Sequence, residues 1–277
     1  MWILHLSDIH LAPGEVYKID HDLFLKLMAE KTGEFVQTKD ALVVSICGDI
    51  IYKGDSTGYN SAACFFKKMR EILGSKIVFC PCPGNHDITS DTVNCFRAFN
   101  KFAWDLTNDA VINFSTEITA VCKSIGDIDM ILVNSAFHGE HTYGFVELGG
   151  LEAVLKGSKS PNKIIVVHHN LIPADMNDRS TIANAYGLLQ LALAHDVKAV
   201  LHGHGHMENV LLVGQKQCKL IGVGSLFFTP GDNLNNQFNL VKYENGSISE
   251  AYAYRYIADL QEGGRVGSFL KERVKEL

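Results

Sequence analysis

Short apolar runs rich in β-branched residues recur along the first two hundred or so positions, and amphipathic stretches separate them. Residues 2–6, 41–46, 77–79, 130–133, 164–167 and 197–201 fit buried strands. Between them, residues 20–35, 57–73, 91–106, 150–156 and 182–194 space their apolar side chains three and four apart behind polar starts, which predicts helices. Alternation of this kind builds a mainly parallel sheet in an α/β fold. Beyond His206 the pattern changes. Residues 209–213, 219–224, 239–243 and 248–256 are short β-like runs separated by glycine and asparagine turns such as Asn245-Gly246, so hairpins should complete a second sheet. Nothing resembling a repeat or linker divides the chain. Residues 1–257 are expected to form one domain and residues 258–277 a helical tail.

The polar tips of the runs carry the chemistry. They read Asp8-Ile9-His10, Gly48-Asp49, Gly84-Asn85-His86-Asp87, His168-His169 and Gly203-His204-Gly205-His206. Tips that follow parallel strands converge on the carboxyl edge of the sheet, where open α/β folds place ligands. Carboxylate oxygen, amide oxygen and imidazole nitrogen together suit divalent ions of intermediate hardness. Two such ions roughly 3.5–4 Å apart clamp the attacking and departing oxygens of a phosphoryl transfer. Asp8, His10, Asp49, Asn85, His168, His204 and His206 are the candidate metal ligands, with Asp49 the best candidate for a bridge.

The ordered blocks DxH, GD, GNHD, H and GHxH resemble the calcineurin-like metallophosphoesterase superfamily. That resemblance implies a four-layer α/β/β/α sandwich of two mixed sheets flanked by helices. It also implies two metal ions, one held by Asp8, His10, Asp49 and His206 and the other by Asp49, Asn85, His168 and His204. A hydroxide bridging them would be the nucleophile, and His86, matching the family histidine that contacts the scissile phosphate, would neutralise charge or protonate the leaving oxygen. Asp87 is a candidate to orient it. Manganese or an iron-containing pair is expected, and zinc, nickel or cobalt suit the same donors.

Departures narrow the substrate. Protein phosphatases of the superfamily follow GD with Asp-Arg-Gly, whereas this chain reads Gly48-Asp49-Ile50-Ile51-Tyr52-Lys53-Gly54 and lacks the two-pronged guanidinium. The pattern is closer to class III cyclic nucleotide phosphodiesterases and glycerophosphodiesterases, although Asn170 replaces the proline common after the His-His pair. A small phosphodiester is therefore the expected substrate. A nuclease acting on DNA or RNA is the alternative, and a non-catalytic binding module on the same fold a second. Charge bears on the choice: 25 Lys plus Arg against 31 Asp plus Glu give a net charge of −6, whereas nucleic-acid binders rely on a basic stripe.

Of the 12 histidines, His5, His21 and His195 read as structural, His202 lies within a strand run, and His169 is a neighbour of the site or a substrate contact. Two loops, residues 137–144 with His138, His141 and Tyr143, and residues 229–237, are candidates for a substrate rim. The seven cysteines lack disulfide or zinc spacing and read as reduced thiols. No apolar run reaches membrane-spanning length, and the first strand starts at Trp2, leaving no room for a signal peptide; a cytoplasmic protein is expected. The pattern does not address oligomeric state.

Overall fold

The computed structural model describes residues 1–12, 20–36, 41–74, 76–173, 176–215, 217–228, 235–261 and 264–273. The chain opens with β1 (Trp2–Leu6), α1 (His21–Gly33), β2 (Leu42–Cys47), α2 (Gly58–Leu73), β3 (Ile77–Cys82) and α3 (Arg97–Thr107). The second half of the alternation is β4 (Ala120–Ile125), β5 (Ile128–Val133), α4 (Leu148–Gly157), β6 (Asn162–Val167), α5 (Ala185–Ala194) and β7 (Val197–His202). Five strands close the fold: β8 (Asn209–Val213), β9 (Cys218–Gly222), β10 (Gln237–Glu244), β11 (Ser247–Gln261) and β12 (Gly264–Arg273).

Two six-stranded sheets result, ordered β12-β11-β10-β1-β2-β3 and β4-β5-β6-β7-β9-β8. Parallel pairing joins β1, β2 and β3 in the first and β5, β6, β7 and β9 in the second, while the flanking strands pair antiparallel. Side-chain alternation decides how they stack. Along β5, Met130 and Leu132 enter the core shared with the first sheet, whereas Ile131 and Val133 face the α4 and α5 side with Leu151, Leu155 and Leu188. All six residues of β2 are buried because both of its faces are covered. Helices α1 to α3 cover the outer face of the first sheet, which completes the expected four-layer α/β/β/α sandwich.

Several element boundaries differ from the sequence reading. Helix α3 begins at Arg97 because Asp91 accepts bonds from the Val93 and Asn94 amides (2.9 and 3.2 Å) and Asn94 from the Phe96 amide (2.9 Å), local turns that compete with helix. Strand β3 runs on through Pro81 to Cys82, which an edge strand tolerates. Strand β4 is an addition to the predicted elements.

The expected helical tail is instead a strand. Gly264–Arg273 pairs antiparallel with β11, and Gly267, Phe269 and Lys271 alternate onto one face. The Phe269 ring packs 5.0 Å from Phe24 and 5.0 Å from Phe238, and the Lys271 ammonium lies 4.2 Å from the Phe35 ring centre. Pairing with the β11 edge and the packing of Phe269 set this segment as a strand. Among the described residues, no helix is long and apolar enough to cross a membrane. Residues 229–234 of the second rim loop lie outside the described residues.

Candidate metal centre

The polar tips meet at one edge of the two sheets, and backbone bonds lace them together. The amides of Ile9 and His10 both donate to the Asp49 carbonyl at 2.9 Å, and the Gly203 amide donates to the His168 carbonyl at 2.9 Å. Side chains continue the lacing: Asp8 Oδ2 accepts from the His204 amide (2.9 Å) and Asp49 Oδ1 from the His86 amide (2.8 Å). These bonds hold unfavourable backbone in place. Asp8, His10, Asp49, His204 and His206 all have left-handed φ angles between 50° and 64°. Each such non-glycine residue costs about 1–3 kcal/mol, and concentration of that strain in five of the seven candidate ligands marks a functional site.

Glycine is needed where the loops cross. A Cβ on Gly84 would stand 2.6 Å from the Asp49 amide nitrogen and 2.9 Å from His168 Cγ. One on Gly48, at φ +74°, would stand 2.8 Å from His168 Cβ.

The donor atoms form two lobes that share Asp49. In one, the ligating atoms of Asp8, His10 and His206 lie within 4.8 Å of one another, with His206 Nε2 3.1 Å from Asp8 Oδ1 and His10 Nε2 3.8 Å from Asp49 Oδ2. In the other, His168 Nε2 lies 2.9 Å from Asn85 Oδ1, 3.0 Å from His204 Nδ1 and 3.3 Å from Asp49 Oδ2. All seven predicted ligands are thus brought together.

The proton inventory of the second lobe shows what fits there. His168 Nδ1 donates to the Cys47 carbonyl (2.7 Å), so in the neutral ring Nε2 carries only a lone pair. Asn85 Nδ2 donates to the His141 carbonyl (3.3 Å), which turns Oδ1 toward His168. Nitrogen and oxygen donor atoms therefore converge at about hydrogen-bond separation with a carboxylate around a single Nε2 position, which a proton occupies in the metal-free protein and a divalent ion would take over. Two carboxylates, one amide oxygen and four imidazoles match the donor chemistry of divalent transition ions.

Electrostatics agree. Burial would push His168 down, yet Asp49, aided by Asp8 and the Cys47 carbonyl, lifts it to about 9. Burial pushes His204 down to about 4, with His168 adding repulsion, so this ring is neutral and free to ligate.

Other candidates fall into place around this cluster. His86 is close to His10 and Asp49, and its Nδ1 accepts from the Lys53 amide (3.0 Å), so its ring proton sits on Nε2. Burial lowers its pKa against the pull of Asp49, which favours a neutral donor over a cation. Asp87, the candidate to orient the His86 ring, is engaged elsewhere: it accepts from the amides of Ile50, Ile51 and Gly84 and from the Tyr59 hydroxyl, tying the Asp49 loop to the Asn85 loop. Burial, then the Asp49 charge, raises it to about 6.

His169 hydrogen bonds Ser135 Oγ through Nδ1 (2.7 Å) and leaves Nε2 buried beside His168 and His204. His202 stays in the core next to His5, whose Nε2 contacts Cys47 Sγ at 3.2 Å. His21 stacks on Phe227, and His195 caps α5. The 137–144 loop reaches the site through His141, whose Nδ1 donates to the Asn85 carbonyl (3.0 Å). Sequence reasoning did not find Tyr59, Ser135 or Cys47. Their roles arise from long-range contacts, and only the position of Cys47 just before Gly48 gave a local signal. All seven cysteines are free.

Comparison with known proteins agrees with this geometry. The chain is 26% identical over 219 residues, 76% of its own length and 80% of the relative's, to a protein of Xenorhabdus bovienii named a probable cyclic nucleotide phosphodiesterase. A Coxiella burnetii protein with the same name is 26% identical over 172 residues, 60% of each chain. In fold, the chain is similar to a dimetal phosphatase from Danio rerio (TM-score 0.58, 15% identity, 98% of each chain). It is likewise similar to a purple acid phosphatase from yellow lupin (TM-score 0.60, 15% identity, 91% of this chain and 50% of that one). The calcineurin-like phosphoesterase profile matches residues 1–208, and with the ligand cluster lying inside that span the chain belongs to the calcineurin-like phosphoesterase family.

Proposed function

We propose that this protein is a phosphodiesterase that works with two divalent ions on a small diester, a cyclic nucleotide being the leading candidate. The observation that carries this reading is the convergence of His168 Nε2, Asn85 Oδ1, His204 Nδ1 and the Asp49 carboxylate on one point. Asp8, His10, Asp49 and His206 would hold one ion, and Asp49, Asn85, His168 and His204 the other. Bound there, the ions would supply a nucleophilic oxygen at neutral pH and neutralise phosphoryl charge. Manganese or an iron–manganese pair is the proposed occupant.

The chain's own groups complete the chemistry. His86, held as the Nε2–H tautomer by the Lys53 amide, donates to a phosphoryl oxygen as charge builds on it. Asp87 keeps the two ligand loops in register. His141 orients the Asn85 amide so that its oxygen, not its nitrogen, would be presented to an ion. Diester chemistry is supported by the names of the curated relatives and by the absence of an Asp-Arg-Gly after Gly48-Asp49. Free cysteines fit work in the cytoplasm. The net charge of −6 disfavours a nuclease.

Hydrolysis of bis(p-nitrophenyl) phosphate beside p-nitrophenyl phosphate by manganese-loaded protein tests the reading. Preference for the diester supports it. Preference for the monoester overturns the substrate class, and inactivity on both revives the binding-module alternative.

A further inference from the structure

One flank of the ligand cluster is built from aromatic rings that no ligand role explains. Phe228 packs 4.8 Å from the His10 ring and 5.1 Å from the His206 ring. Tyr52 stacks on His86 at 5.7 Å with a 27° interplanar angle, and its ring centre lies 6.5 Å from that of Phe228. Both rings are half-buried, so a polar, solvent-facing site keeps apolar ring surface at its rim.

Each ring is held from the site itself. The Phe228 carbonyl accepts from Asn236 Nδ2 (2.9 Å), and Ser225 Oγ reaches both that carbonyl (3.4 Å) and the Asp8 carbonyl (2.8 Å), which couples Phe228 to the first ligand loop. Tyr52 is fixed by the turn at Lys53, whose backbone is left-handed (φ 49°) and whose amide binds His86; the Gly54 amide donates to the His86 carbonyl at 2.9 Å. The Lys53 ammonium is exposed, lies 4.9 Å from the Tyr52 ring centre and forms no ion pair among the described residues. Ring surface beside the candidate metal ligands, with an exposed cation over it, is the chemistry that recognises a flat aromatic group carried on a phosphate ester.

We propose that Phe228 and Tyr52 form a subsite for the aromatic group of the ester, a nucleobase or an aryl ring, and that Lys53 meets the adjoining anionic oxygen. The inference rests on the phosphodiesterase reading and sharpens it: diesters bearing a flat ring are favoured over aliphatic ones such as glycerol diesters. Imidazole packing alone would use the same rings without giving any ligand selectivity.

The test compares adenosine 5′-monophosphate with ribose 5-phosphate, which share the phosphate and the sugar and differ by the base. Equilibrium calorimetry on manganese-loaded full chain reads binding without requiring turnover, so inactivity toward diesters would count against the function and leave this comparison intact. The expected result is at least about tenfold tighter binding of the adenosine compound, a typical size for one stacked base. Phe228→Leu and Tyr52→Leu, checked for unchanged manganese content, should each shrink that ratio several-fold while ribose 5-phosphate binding moves little. Lys53→Gln should weaken both ligands alike. Equal binding of the two compounds by the parent protein, or a ratio that persists in both leucine variants, overturns the proposal.

Discussion

Replacing Asp87 by alanine should destabilise the protein strongly without removing a metal ligand. The carboxylate accepts from three buried backbone amides, those of Ile50, Ile51 and Gly84, and from the Tyr59 hydroxyl at 2.9 Å. The change strands these donors, and each unsatisfied buried donor costs about 1–3 kcal/mol. The low end of that range applies, because burial and the Asp49 charge already penalise the ionised carboxylate, raising it to about 6, and the substitution removes this penalty. A net loss of about 3–4 kcal/mol follows. Asp87→Asn keeps one acceptor oxygen and should lose about half as much. Urea unfolding of chelator-treated protein at neutral pH, followed by far-ultraviolet circular dichroism, measures the difference without metal binding contributing. A loss below about 1 kcal/mol for Asp87→Ala would refute the view that this carboxylate clamps the two loops.

Two further outcomes follow from the site. His86→Ala should keep both ions yet cut diester turnover by about 10²–10³-fold, the usual scale for losing one transition-state donor, and steady-state kinetics with metal analysis would check this. Retained turnover would remove His86 from the mechanism. His168, raised to about 9 in the metal-free protein, is protonated at pH 7 and loses that proton as pH rises through 9. Manganese must displace the proton, so affinity should climb with pH up to that point, with roughly one proton released per chain at pH 7. Calorimetry in buffers of different ionisation enthalpy reads the release, and none at all would contradict the assigned acceptor role of Nε2.

Much of the fold was legible because buried parallel strands read as continuous apolar runs, and the ligands sit just past their ends. β6 ended where expected, directly before His168, and β2 one residue later than expected, directly before Gly48-Asp49. What escaped depends on contacts distant in sequence. β4 mixes buried and half-exposed positions, so no continuous run announced it. β12 exists because β11 offers an edge and Phe269 fills a space between Phe24 and Phe238. At the site, residue types and order picked out the seven side chains that the fold clusters, whereas the groups that hold them did not stand out: Cys47 lends only its carbonyl, His141 lends a carbonyl and a ring proton, and Tyr59 works from α2. Asp87 illustrates the gap, since its place beside His86 suggested an orienting partner, while the chain path sends its carboxylate to the backbone of the Asp49 loop.

The central claim is that the seven donors share two ions through Asp49, and metal stoichiometry tests it most directly. Manganese-loaded protein, freed of excess metal and analysed by inductively coupled plasma mass spectrometry, should carry close to two ions per chain, and Asp49→Ala should lose at least one of them. Two ions retained in Asp49→Ala, or no more than one in the parent protein, would contradict the account.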